Sequence, residues 1–192
     1  YSSQQSSPVN GNHLSNIGSA DENNTLEDHS IRFQHQYKGF ENHRITSGIE
    51  ESYYAVRYET NKLDGSVPNT VIFNQEGFLH AFFLQDQWIP NDRWDVQAGY
   101  RVSYYNELES FYGSPRLALK YRVRPGVSLE TSLGRHHQFV HRLIGENMTR
   151  GTRRMWIISS QKIPCISSLN YHTGLNWEKG YYSLSMSGYY RS

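Results

Sequence analysis

Residues 94–105 read WDVQAGYRVSYY, and their alternation decides the fold. Trp94, Val96, Ala98, Tyr100, Val102 and Tyr104 share one parity; Asp95, Gln97, Gly99, Arg101 and Ser103 share the other. Successive side chains of a β-strand leave on opposite faces, so this stretch predicts a strand with one apolar and one wet face. The scheme recurs at 116–123, where Leu117, Leu119, Tyr121 and Val123 oppose Arg116, Lys120 and Arg122. It recurs again at 181–190, where Tyr182, Leu184, Met186 and Tyr190 oppose Ser183, Ser185 and Ser187.

Composition agrees with a protein built from such strands. Of 192 residues, 36% are hydrophobic and 14% aromatic, with 15 Tyr; ordinary globular domains run at roughly 45–50% apolar. A disordered chain would be poor in aromatics too, whereas a sheet that needs one apolar residue in two accounts for both numbers. The net charge of +1 supplies no field for nucleic acid. The single cysteine, Cys165, excludes an intrachain disulfide, and no Cys/His zinc spacing occurs. No apolar run approaches the roughly 18 residues of a membrane helix.

Eight segments read as strands: 26–39, 42–59, 78–89, 94–105, 114–123, 127–139, 167–178 and 181–190. Within 42–59 the apolar parity passes from Ile45 and Ile49 to Tyr54, Val56 and Tyr58, which predicts a bulge near Glu51–Tyr53. The connections alternate in length. Those at 39–41, 90–92, 124–126 and 179–180 are tight and carry Gly, Pro, Asn or Asp. Those at 60–77, 106–113 and from Val140 to Ile166 read as longer loops, the last far beyond the usual roughly 4–6 residues. In an up-and-down meander this gathers the tight turns at one end and the loops at the other, as in outer-membrane barrels. Strands of about 11–13 residues suit a tilted membrane crossing and exceed the roughly 5–6 of soluble strands. The apolar parity would then meet lipid and the wet parity a lumen. Trp88, Trp94, Trp177, Tyr181, Tyr104, Tyr105 and Tyr112 lie near strand ends, where interfacial girdles belong. A soluble β-sandwich binding module would alternate with its apolar face inward, and a self-contained eight-stranded barrel, an adhesin or structural protein, would alternate as here. The Tyr-rich apolar parity, with Ala98, Thr131 and Thr173 interspersed, suits lipid better than a densely packed interior.

The run FFLQDQWIPNDRWDVQAGYRVSYY (82–105) and the following GSPRLALKYRVRPGVSLETSLGRHHQFVHRL (113–143) resemble the barrel region of TonB-dependent outer-membrane receptors. The resemblance is carried by Phe83, Asp86 and Trp88, by Gly99, Arg101 and Tyr104, by Pro115 and Arg116, and by Gly134, Arg135 and Gln138. Residues 153–190 resemble the loop and hairpin that follow, so the likeness covers roughly 78–190. It implies an all-β antiparallel meander, about eight strands of a larger transmembrane β-barrel, usually of 22 strands, in the cell outer membrane. It also implies active import of a siderophore, vitamin or glycan, with an N-terminal plug domain and an energy-coupling TonB complex as partners. Neither plug nor coupling box is legible here. The organisation expected is therefore an extracellular polar loop at 1–25 and a partial barrel over 26–192, set among outer-membrane lipid and lipopolysaccharide.

Candidate site residues divide in two. His136, His137 and His141 lie in GRHHQFVHR (134–142), whose spacing on a strand does not make a metal site. Arg142, Arg153, Arg154 and Trp156 lie in the long 140–165 connection, which also holds Arg150, and guanidinium forks suit anionic groups. With Arg135, His136 and His137 they are the substrate-binding candidates. Asp86, Arg101, Arg116 and Lys120 are expected to line the lumen as paired structural charges. No catalytic residues, cofactor or metal are assigned: no GxSxG, HExxH, phosphate loop or dinucleotide fingerprint occurs.

Overall fold

The computed structural model describes residues 20–64, 67–147 and 151–192. Its strands are β1 (Ala20–Tyr37), β2 (His43–Asp64), β3 (Val67–Asn91), β4 (Trp94–Tyr105), β5 (Ser110–Arg124), β6 (Val127–Gln138), β7 (Val140–Asn147), β8 (Gly151–Ile158), β9 (Ile166–Lys179) and β10 (Tyr182–Arg191). Eight of them form one antiparallel sheet in the order β1-β2-β3-β4-β5-β6-β9-β10, while β7 and β8 pair only with each other. The meander and its alternating faces are as the sequence predicts.

Register fixes the two faces. Ala81 opposes Ser103, Arg101 opposes Ser114, Arg116 opposes Gly134, and Gly134 opposes Asn170, so these residues share one face across five strands. This is the inner face. The outer face carries Phe33, Ile49, Phe82, Val102, Leu117, Leu133, Tyr171 and Met186. Its large side chains stay uncovered: Phe33 is 68% exposed, Phe82 52% and Met186 67%. Exposed apolar patches on soluble monomers rarely exceed a few hundred Å². A whole apolar face left open marks a surface that meets a membrane or another protein.

The structure corrects the sequence reading in four places. First, β2 runs against β1 and β3 in unbroken register through Glu51–Tyr53, with no bulge. Tyr54, Val56 and Tyr58 remain on the inner face, and the register shifts fall at Trp88/Asn91 and Arg122/Arg124 instead. Second, the stretch read as a loop over 60–77 is mostly paired strand, with Thr60 opposite Val71 and Leu63 opposite Pro68. Likewise 106–113 contracts to a single turn of 3-10 helix at Asn106–Leu108, followed by Glu109, which caps it at positive φ, and by the start of β5. Third, the long 140–165 connection is chiefly the β7–β8 hairpin. Fourth, β1 starts at Ala20, inside the stretch read as a polar loop; residues 1–19 lie outside the described residues.

The buried residues gather at the end of the sheet that carries this hairpin. Leu79, Tyr105 and Phe139 form a cluster on the inner face, flanked by Tyr54, Leu108, Tyr112 and Cys165. The Tyr105 and Phe139 rings lie 4.7 Å apart, and Tyr112 meets Phe139 edge-on at 5.0 Å. Gly77 sits beneath Tyr105, where any Cβ would collide with the phenol.

Candidate functional site

The inner face is a ladder of polar side chains in its middle and a packed surface at its hairpin end. In the middle, Glu50 of β2 receives two guanidiniums, Arg32 from β1 and Arg101 from β4, the latter at 2.7 Å. Arg32 also lies over the Phe83 ring, 5.5 Å from its centroid. Farther along, Lys120 pairs with Glu130 at 2.9 Å, and Asn176 donates to the same carboxylate at 2.9 Å. Ser185 donates in turn to Asn176. Gln87 donates to both oxygens of Asp95, at 3.0 and 2.9 Å. Each carboxylate is thus held by donors from neighbouring strands, as buried or half-buried charges require.

At the other end the hairpin folds onto the same face. Asn24 of β1 clamps the backbone of Trp156, accepting from its N–H at 2.6 Å and donating to its carbonyl at 3.3 Å. Gln75 of β3 accepts from the N–H of Ile158 at 3.2 Å. Two side-chain amides therefore take the place of a neighbouring strand along the β8 edge. Beneath them Val56 is 2% exposed and Ile158 1%. His141 is buried against Ser159, its Nε2 2.8 Å from the hydroxyl, and burial lowers its pKa from the ordinary 6.5. Burial likewise raises the pKa of the Cys165 thiol, which keeps it protonated.

The candidates from the sequence are placed as follows. Arg101, Arg116 and Lys120 lie on the inner face. Arg101 and Lys120 are paired as described; Arg116 makes no ion pair or hydrogen bond among the described residues. Asp86 is a correction: it opposes Ile45 and Ala98 and so faces outward, not into the lumen. There it bonds His43 at 2.7 Å, and the Trp88 ring stacks on that histidine. The apolar parity of β3 admits a carboxylate here because the position lies near the tight-turn end and its charge finds a partner. Arg135 takes the outer parity opposite Leu169, whereas His136 reaches into the inner-face space beside Gly134. His137 meets Ser114 at 3.1 Å and the Tyr112 ring at 5.2 Å. His137 and His141, four apart in sequence, thus have separate partners. Arg142 lies over the Trp156 ring at 5.5 Å. The backbones of Arg153 and Arg154 belong to β8, opposite Gly145 and Ile144, while their side chains, and Arg150 altogether, lie outside the described residues. Among the described residues no three His, Cys, Asp or Glu side chains come together as a metal site would need.

Glu50, Asn24 and Gln75 were not singled out by the sequence. Glu50 had a signal, since it belongs to the wet parity of β2, but the supposed bulge beside it hid that. The amide clamps had none, because their partners are backbone atoms 132 and 83 residues away.

The TonB-dependent receptor-like β-barrel family model matches residues 1–192. The chain belongs to that family. Members of the TonB-dependent receptor family are outer-membrane transporters of Gram-negative bacteria, not enzymes; they take small-molecule cargo and work with TonB. Among solved structures, the chain is similar to the ferric yersiniabactin uptake receptor FyuA from Yersinia pestis, with a TM-score of 0.65 at 13% identity. That match covers 92% of this chain and 30% of the receptor. The ferric enterobactin receptor PfeA from Pseudomonas aeruginosa matches with a TM-score of 0.61 at 11% identity, over 85% of this chain and 26% of its own. The RagAB peptide importer matches with a TM-score of 0.58 at 10% identity, over 91% and 24%. No curated protein matches. The chain therefore spans less than a third of each of these receptors, and at such identities the likeness is one of fold. It matches the meander to a section of a larger receptor barrel.

Proposed function

We propose that this chain is a section of the barrel wall of an active importer that takes up a siderophore, vitamin or glycan, driven by TonB. The observation that carries the reading is the division of the inner face. Its middle is a wet ladder whose carboxylates are each hydrogen-bonded, and its hairpin end is partly covered by a folded-in element bearing exposed Arg142 and half-buried Trp156. The tight-turn end then faces the periplasm and the hairpin end the exterior, where lipopolysaccharide borders the outer face. Arg142 and Trp156, with Arg153 and Arg154 on the same hairpin, meet cargo at the mouth; Arg135, His136 and His137 follow at the rim. A plug domain elsewhere in the full protein fills the lumen. The direct test deletes the gene for the full-length protein and measures uptake of labelled ferric siderophores, cobalamin and oligosaccharides, with and without TonB. The proposal expects loss of at least one TonB-dependent uptake. Unchanged uptake of every cargo would overturn it.

A further inference from the structure

The lumenal wall is electrostatically lopsided in a way that the ladder does not explain. Two adjoining clefts open on the inner face, of about 340 and 440 Å³. Among the described residues no carboxylate lines either one. The first is bordered by Arg32, Arg44, Arg101 and Arg116, with Gln34, Gln36, Gln85 and Gln87 supplying neutral amides. The second is bordered by Arg116, Arg191, His136 and His172. Arg32 and Arg101 share the single carboxylate of Glu50, which leaves that trio one net positive charge. Among the described residues Arg44 bonds only the neutral carbonyl of Gln87, at 3.3 Å, and Arg191 only that of Asn170, at 2.9 Å. Arg116 has no such partner among the described residues and borders both clefts. Its register neighbours on the two flanking strands are Gly99 and Gly134. Neither position carries a side chain against the guanidinium; the His136 imidazole of β6 shares the space, 3.4 Å from where a Gly134 Cβ would stand, and that Cβ would come within 3.5 Å of the Arg116 stem.

A guanidinium cannot shed its proton, has five donors and no acceptor, and matches a planar or tetrahedral oxyanion through paired N–H groups. One left in a recess flanked by glycines and by the amides of Gln34, Gln36 and Gln85 is a receptor for such a group. We infer that the recess around Arg116, with Arg44 and the glutamine amides, is an oxyanion-binding site on the lumenal wall, taking a carboxylate or phosphate. The group comes either from a free anion in the lumen or from a carboxylate of another segment of the full-length protein. The inference rests on the inner face being the lumen, not on which cargo is imported.

The test uses the full-length protein in detergent, with inorganic phosphate titrated against chloride at constant ionic strength while the thermal midpoint is followed. For a free anion, the wild type rises saturably and R116Q needs about tenfold more phosphate; R116K, which keeps the charge but loses the fork, falls between them. For a carboxylate of the same chain, the wild type ignores phosphate, R116Q melts lower than the exposed-turn control R93Q, and R116E melts lower still. The site is refuted if phosphate stabilises wild type and R116Q alike. It is also refuted if phosphate does nothing and R116Q matches R93Q, or if R116Q and R116E lose stability equally, which would mean packing alone. Melting is read without transport, so a normal phosphate response in a protein that imports nothing would fault the importer reading and leave this site standing.

Discussion

The middle of the inner face and its hairpin end lie on the same parity of the same strands, yet they are different solvents. Around Glu50 and Glu130 the side chains are charged and paired, and their exposure runs from 15% at Glu50 to 49% at Lys120. A few residues farther along, Val56, Leu79 and Tyr105 are buried, Tyr105 completely. Nothing in the backbone changes between the two regions, since the register of β2 and β3 is continuous. What changes is what lies above: an open cleft in one, the β7–β8 hairpin and Phe139 in the other. Parity tells which residues share a face; it does not tell what that face meets along its length.

Substitutions that act on one region and spare the other test this contrast. The largest expected effect comes from Ile158→Asp, which puts a charge where the side chain is almost wholly buried. Undocking should follow, at a cost of ~3 kcal/mol or more. Amide hydrogen exchange would show protection lost over β7 and β8 and kept over β4 and β5. Glu50→Gln acts on the other region. It leaves the Arg32 and Arg101 guanidiniums facing each other without their carboxylate, and should lower global stability by about 2 kcal/mol, less than for a fully buried pair because the lumen screens it. Chemical denaturation in detergent should show this with hairpin protection unchanged. Asn24→Ala removes both clamp bonds to Trp156 and should weaken docking by ~1–2 kcal/mol, visible as faster proteolysis of the hairpin and no change in assembly.

The smallest effect is one of pH. His141 is held neutral by burial, so its pKa in the docked hairpin lies below its ordinary 6.5. The undocked form takes the proton first as pH falls, so docking is full above about 6.5 and weakens below it. Hairpin exchange rates measured between pH 7.5 and 5 should rise toward acid. A flat profile would mean that His141 is not buried when the hairpin is docked.

The strands and their faces were legible because period-two alternation is imposed by the backbone at every residue. Residues 94–105 and 116–123 keep the faces that their sequence assigns them. The hairpin end was not legible, for three physical reasons. Tyr54, Val56 and Tyr58 are apolar on the wet parity because the hairpin covers them, and a pattern without the hairpin reads that as a bulge. The paired stretch over 60–77 lacks alternation because both faces can carry polar side chains, as Thr70 and Asn61 do in bonding each other across the strands. The amide clamps join positions far apart in sequence and leave no local mark. Asp86 misled because a carboxylate on a strand suggests the wet face, whereas at the tight-turn end an outward one can be held by His43.

The account rests on hydrocarbon bathing the outer face. Lysine placed singly at Val96, Val102, Leu119 and Leu184 of the full-length protein, with lysine at the inner-face positions Ser132 and Ser185 for comparison, tests this most directly. Each outer substitution should cost about 2–4 kcal/mol near the bilayer middle and remove the folded, heat-modifiable species from the outer membrane, while the inner ones assemble normally. Normal assembly of all four outer variants would contradict the account.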